Sequence, residues 1–182
     1  PFCTIEPNVG MITVPDERLN KISDLVNPQK IIPTTVEIVD IAGLVKGASK
    51  GEGLGNQFLG NIRNTDAILH VVRCFDDDNI THVDGSIDPV RDKEIIDTEL
   101  QLKDLESIDT KILKVKKLAE TGNKEAKVVY DVVSLIKSTL EQGKSARTID
   151  LDSNQLDLIK DLNLLTLKPV LYVCNVDDAS VV

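Results

Sequence analysis

The chain has no tryptophan, and with three phenylalanines and two tyrosines its aromatic content is only 3%. Stacking platforms for bases or sugar rings are therefore scarce. No window approaches the ~18 consecutive apolar residues of a membrane span, and no signal peptide is visible. Cys3, Cys74 and Cys174 are an odd number without C-x-x-C spacing. That argues against a disulfide framework or a thiolate metal site and for a reducing, cytoplasmic setting. A net charge of −9 argues against DNA and against broad nucleic-acid binding by the whole surface. What remains is ordinary: 182 residues, 41% hydrophobic and 28% charged, enough for one good core with an appended module. The chain opens at Pro1-Phe2 without an initiator Met and ends in Ser180-Val181-Val182 after a strand signal, so it is expected to be an internal piece of a longer polypeptide.

Along the chain, 4–14 reads as extended and turn-rich, punctuated by Pro7-Asn8 and Gly10. Pro15-Asp16 opens a short helix with Leu19, Ile22, Leu25 and Val26 on one face, closed by Asn27-Pro28. The β-branched run from Thr34 to Val39 reads as a buried strand ending in Asp40-Ile41-Ala42-Gly43. Four glycines follow between positions 47 and 55, then a helix over about 56–64. The runs 67–75 and 170–174 read as two more buried strands. Short apolar strands separated by helices predict an α/β fold with a mostly parallel sheet. Between the last two strands, Leu105, Ile108, Ile112, Val115 and Ala119 are spaced 3-4-3-4, as are Ala126, Val129, Val133, Ile136 and Leu140 after the turn at 120–123. Two such stripes predict an inserted antiparallel helical hairpin, a coiled coil whose first arm projects on the order of 40 Å. The expected division is 1–87, the hairpin at 88–148, and 149–182 returning to the first domain.

Asp-x-x-Gly alone is a weak pattern. At the C-terminal end of a buried strand it delivers a carboxylate and a flexible glycine to the edge where open α/β sheets bind ligands. In nucleotide switches the Asp holds Mg²⁺ and the Gly N–H senses the γ-phosphate. Two further elements stand in a matching order. Thr4 precedes the strand, where its hydroxyl could meet Mg²⁺. Asn175-Val176-Asp177-Asp178 follows the last strand with the Asn-x-x-Asp spacing that reads a purine base. The ordered set is much more specific than any member.

Residues 1–8 (Pro1-Phe2-Cys3-Thr4-Ile5-Glu6-Pro7-Asn8), the run from Val39 to Asn56, and His70-Val71-Val72-Arg73-Cys74-Phe75 resemble the Obg-like ATPase (YchF) family of P-loop switch proteins. The likeness runs along essentially the whole chain, including the hairpin and 164–169. It implies a Ras-like P-loop NTPase fold, slow ATP hydrolysis with Mg²⁺, and a ribosomal or stress-response effector. Position 44 is Leu where many GTPases carry the Gln that orients the attacking water. His82 matches a family histidine proposed for that task, the plain alternative being an exposed loop histidine. His70, inside a strand, reads as a core residue. The family shows Asn-x-x-Glu where this chain has Asn175-Val176-Asp177-Asp178, so ATP preference with weakened discrimination against GTP is expected. No G-x-x-x-x-G-K-[ST] occurs in the 182 residues. The resemblance puts that loop, its central strand and a TGS domain outside the chain, so the segment alone is expected to bind nucleotide poorly and to be inactive.

Lys111, Lys114, Lys116, Lys117, Lys124 and Lys127 cluster around the hairpin tip of an otherwise acidic protein. Such a run is most often a solvated face; the sharper reading is a contact with ribosomal RNA. The rival from another class is a non-catalytic scaffold that keeps the NTPase fold. Redox sensing through Cys3 or Cys74 is a weaker rival, since no basic neighbour in sequence lowers the Cys3 pKa.

Overall fold

The computed structural model describes residues 8–41, 54–77, 79–80 and 86–177, which fall into two compact units divided between Gly43 and Leu44.

In the first unit, β1 (Asn8–Thr13) and β2 (Thr35–Asp40) pair antiparallel with Asn8 opposite Asp40 and Thr13 opposite Thr35. Between them runs α1 (Glu17–Val26). Its ends are chemically marked: the Asp16 carboxylate accepts the Arg18 N–H at 2.9 Å, and Asn27 takes a left-handed conformation with its N–H donating to the Ser23 carbonyl. No residue of α1 is buried, and both strands expose apolar side chains such as Met11, Ile12 and Val36.

The second unit carries the core. α2 (Leu54–Arg63) leads to β3 (Ile68–Arg73), which pairs parallel with β4 (Val170–Asn175), Ile68 beside Val170 and Arg73 beside Asn175. Between β3 and β4 come α3 (Pro89–Glu120) and α4 (Lys124–Glu141), joined by a three-residue turn in which Gly122 has φ +91°. Asp88 caps α3, with Pro89 in its first turn, and Asn123 caps α4. Gly143, at φ +73°, follows the end of α4. The two helices close on Ile108, Val132, Val133, Ile136 and Leu140, and Lys137 reaches back to Asp109 at 2.6 Å. α5 (Ser153–Ile159), held by a capping box between Asp152 and Gln155, adds Ile159 to that core, and Ala146 and Leu164 complete it.

Three expectations are corrected. Residues 8–13, expected to be extended, form a regular strand, and they meet β2 antiparallel. Among the described residues one ladder is therefore parallel and the other antiparallel, not a mostly parallel sheet. Of the three strands expected to be buried, β2 and β4 are largely open, with Leu171 61% exposed, and β3 is open at Leu69 and Val71 while Val72 is buried. A two-stranded sheet offers each strand a single neighbour, so apolar composition alone does not bury it. α3 also does more than project. Its first half is packed into the unit, with Glu99, Leu100, Gln101 and Asp104 buried.

Candidate functional site

Asp40 is the last residue of β2 and is exposed, opposite Asn8. Asn175 is the last residue of β4, and Val176 follows it, 38% exposed. Because β3 and β4 run parallel, their C-terminal ends form one edge, where the Cys74 N–H donates to the Asn175 carbonyl at 2.7 Å. Thr4, Gly43, His82 and Asp178 lie outside the described residues. Asp40 belongs to the first unit and Asn175 to the second. Among the described residues no cluster of three or more His, Cys, Asp or Glu could hold a metal ion.

The edge beside Asn175 is organised by Arg73. Its guanidinium donates to the carbonyls of Phe75 (3.1 Å), Ile80 (3.0 Å) and Asp77 (3.3 Å), and lies 4.7 Å from the Phe75 ring centroid. The Asp77 carboxylate in turn accepts the Asn79 N–H at 2.9 Å. One planar cation thus gathers several main-chain acceptors of the loop that leaves β3. An arginine ending an otherwise apolar strand was the signal for it.

The approach to β4 is fixed by a second buried group. Asp104 of α3 is fully buried, and its carboxylate accepts the N–H of Leu165 at 2.9 Å and both the N–H and hydroxyl of Thr166 at 2.7 Å. Burial pushes its pKa above the ordinary carboxylate value; the hydrogen bonds from Thr166 and Leu165, and nearby Arg63, act against that. Lys168 reaches the Thr65 carbonyl, and Arg147 Nε donates to the Lys168 carbonyl at 2.9 Å. The signal was a carboxylate four residues before Ile108, on the apolar stripe of α3. His70 packs against Tyr172 with ring centroids 5.5 Å apart. Burial lowers its pKa, with Asp97 pulling upward and Lys93 pushing downward.

Of the lysines expected around the hairpin tip, Lys111 is engaged by Asp161 at 2.8 Å and Lys116 faces Glu120 at 4.0 Å. No ion pair is formed by Lys114, Lys117, Lys124 or Lys127 among the described residues. No helix among the described residues is long and apolar enough to cross a membrane.

An α/β arrangement with Asp-x-x-Gly and Asn-x-x-Asp at strand ends is the pattern of a P-loop GTPase-like fold. The family model described as "50S ribosome-binding GTPase" matches residues 1–111. The solved YchF GTPase of Schizosaccharomyces pombe superposes with a TM-score of 0.76 at 38% identity, over 98% of this chain and 49% of that one. The ribosome-binding ATPase YchF of Bacillus subtilis is 54% identical over 181 residues, 100% of this chain and 50% of the relative. The protein of the same name from Escherichia coli O157:H7 is 52% identical over 178 residues, 98% of this chain and 49% of the relative. The chain belongs to the YchF family. It spans about half the length of the curated relatives it matches.

Proposed function

We propose that this chain is the nucleotide-reading part of a cytoplasmic switch that hydrolyses ATP slowly and engages the ribosome. The observation that carries the reading is Asn175, which ends a parallel strand at the edge where α/β sheets take their ligands and opens the Asn175-Val176-Asp177-Asp178 run whose spacing suits a purine. In this reading Asp40 and Thr4 face Mg²⁺. The exposed Asp40 carboxylate is a hard oxygen donor of the kind that ion accepts, and Mg²⁺ needs only one or two protein ligands when phosphates supply others. The bound ion would neutralise charge on the transferring phosphoryl group. The Gly43 N–H meets the γ-phosphate. With Leu44 unable to orient water, His82 does so as a neutral imidazole. Asp178, one methylene shorter than the family glutamate, relaxes the exclusion of GTP.

The hairpin at 88–148 is the partner arm. Lys114, Lys117, Lys124 and Lys127 suit the phosphates of ribosomal RNA, and the relatives are named ribosome-binding. Matched titrations of ATP and GTP on the full-length protein test the first part: tighter ATP binding is expected, weakened by Asn175→Ala. A large preference for GTP sinks the ATP assignment. Lys117→Glu with Lys124→Glu is expected to weaken ribosome co-sedimentation and flatten its salt dependence, and unchanged sedimentation removes the RNA contact.

A further inference from the structure

One stripe of α3 is gripped by two elements. The first is α2: Leu59 is buried with Leu100 and Leu165, Ile62 and Ile96 pack around them, and Arg63 donates to the Ser107 hydroxyl at 3.1 Å. The second is the Leu165–Leu167 3₁₀ turn that feeds β4, held by Asp104 and meeting α2 through Leu165. Leu100, Asp104 and Ser107 are spaced 4 and 3, so they lie one above another on the same face. α2 therefore touches α3 on both sides of the Asp104 anchor, about 6 Å toward the root at Leu100 and about 5 Å toward the tip at Ser107. From Asp104 to Glu120 the arm is about 24 Å long.

We propose that Arg63 and Asp104 are positioning residues that make the hairpin a lever: Arg63 couples α3 to α2, and Asp104 is the fulcrum that holds α3 to the segment feeding β4. This rests on the nucleotide reading above, because α2 follows the glycine-rich run that closes the Asp-x-x-Gly element. Helix shifts at interfaces are typically about 1–2 Å. With these arm lengths, a shift of about 1 Å becomes about 4 Å at the tip when applied at Leu100 and about 5 Å when applied at Ser107. The coupling is contiguous and made of a buried carboxylate, a guanidinium and packed leucines, the kind of network that transmits discrete displacements. It is also reciprocal: a partner that holds the tip biases α2 in return.

The test uses spin labels at Lys124 and Asp66 in the full-length protein, in a background without other reactive cysteines. The distance between them is read with and without a non-hydrolysable ATP analogue and Mg²⁺, while nucleotide affinity is titrated on the same samples. A nucleotide-dependent shift of about 4 Å is expected in the parent. In Arg63→Ala and in the milder Ser107→Ala the shift falls below about 1 Å with affinity unchanged. In Asp104→Asn, which keeps the side-chain shape, the distance distribution broadens. Nucleotide binding without any shift, a shift that persists in Arg63→Ala and Ser107→Ala, or an unaltered distribution in Asp104→Asn each overturns the lever while leaving the nucleotide reading intact. Absence of nucleotide binding in the parent overturns that reading, and the lever with it.

Discussion

Residues 8–41 and residues 86–167 are both rich in regular structure, yet they are held by different means. In the first stretch the helix is delimited by local chemistry, Asp16 before it and Asn27 after it, and no residue of α1 is buried. In the second, Ile108, Val133, Ile136, Ala146 and Leu165 are completely inaccessible. A helix of ten residues gains little from propensity alone. An apolar stripe such as Ile22, Leu25 and Val26 therefore marks the face suited to burial, and only packing settles whether it is buried. The contrast separates two kinds of sequence information, caps that fix where an element ends and volumes that fix what it touches.

The strongest way to break the contrast is Asp104→Ala. It leaves three buried donors without an acceptor, and a loss of about 3–5 kcal/mol is expected in urea unfolding. A loss below about 1 kcal/mol would show that water or a neighbour replaces the carboxylate. Ile136→Ala, in the hairpin core, is expected to cost about 2–4 kcal/mol by the same measurement.

The pH profile sharpens the picture from within the second unit. The folded-state pKa of His70 is depressed by burial, so its contribution to stability is present above the ordinary histidine value and is lost as pH falls through and below it. Melting temperature is expected to drop between about pH 7 and about pH 5, and to drop less in His70→Gln. Asp104 works in the opposite sense: its folded pKa is raised, so its contribution is complete below the ordinary carboxylate value and fades as pH rises through the folded one. An acid loss undiminished in His70→Gln would therefore have to come from other groups. The smallest effect belongs to Leu25→Ala. At 82% exposure its loss is expected to stay within about 0.5 kcal/mol, whereas a cost of about 2 kcal/mol would reveal a buried α1 face and end the comparison.

The helices of the hairpin were legible because their apolar positions repeat over many turns and Asn123 and Gly143 punctuate them. α1 was legible from its caps. β1 was legible only as an extended stretch, since Pro7-Asn8 and Gly10 read as turn signals and its pairing with β2 is a contact that no local pattern encodes. The stretch from Gly143 to Leu167 was also missed: its helical pieces are too short for a period to develop, and Ala146, Ile159 and Leu164 are gathered by tertiary packing. Of the candidate site, the ends of β2 and β4 were readable from motifs. Arg73 and Asp104 stood out by position alone; what they hold was not readable, because apart from the Thr166 hydroxyl their hydrogen-bond partners are main-chain groups that carry no residue identity.

That last property has a consequence for Asp104. The 3₁₀ turn at Leu165–Leu167 has no capping side chain of its own; Leu164 stands at its cap position. A carboxylate 61 residues earlier in the chain does the capping. Two of its three bonds go to main-chain N–H groups, so side-chain identity at 165 and 166 is constrained only by volume and by one hydroxyl. Serine at 166 would satisfy Asp104 as threonine does. Proline would not, because at either position it deletes a donor and leaves a buried carboxyl group short of one hydrogen bond.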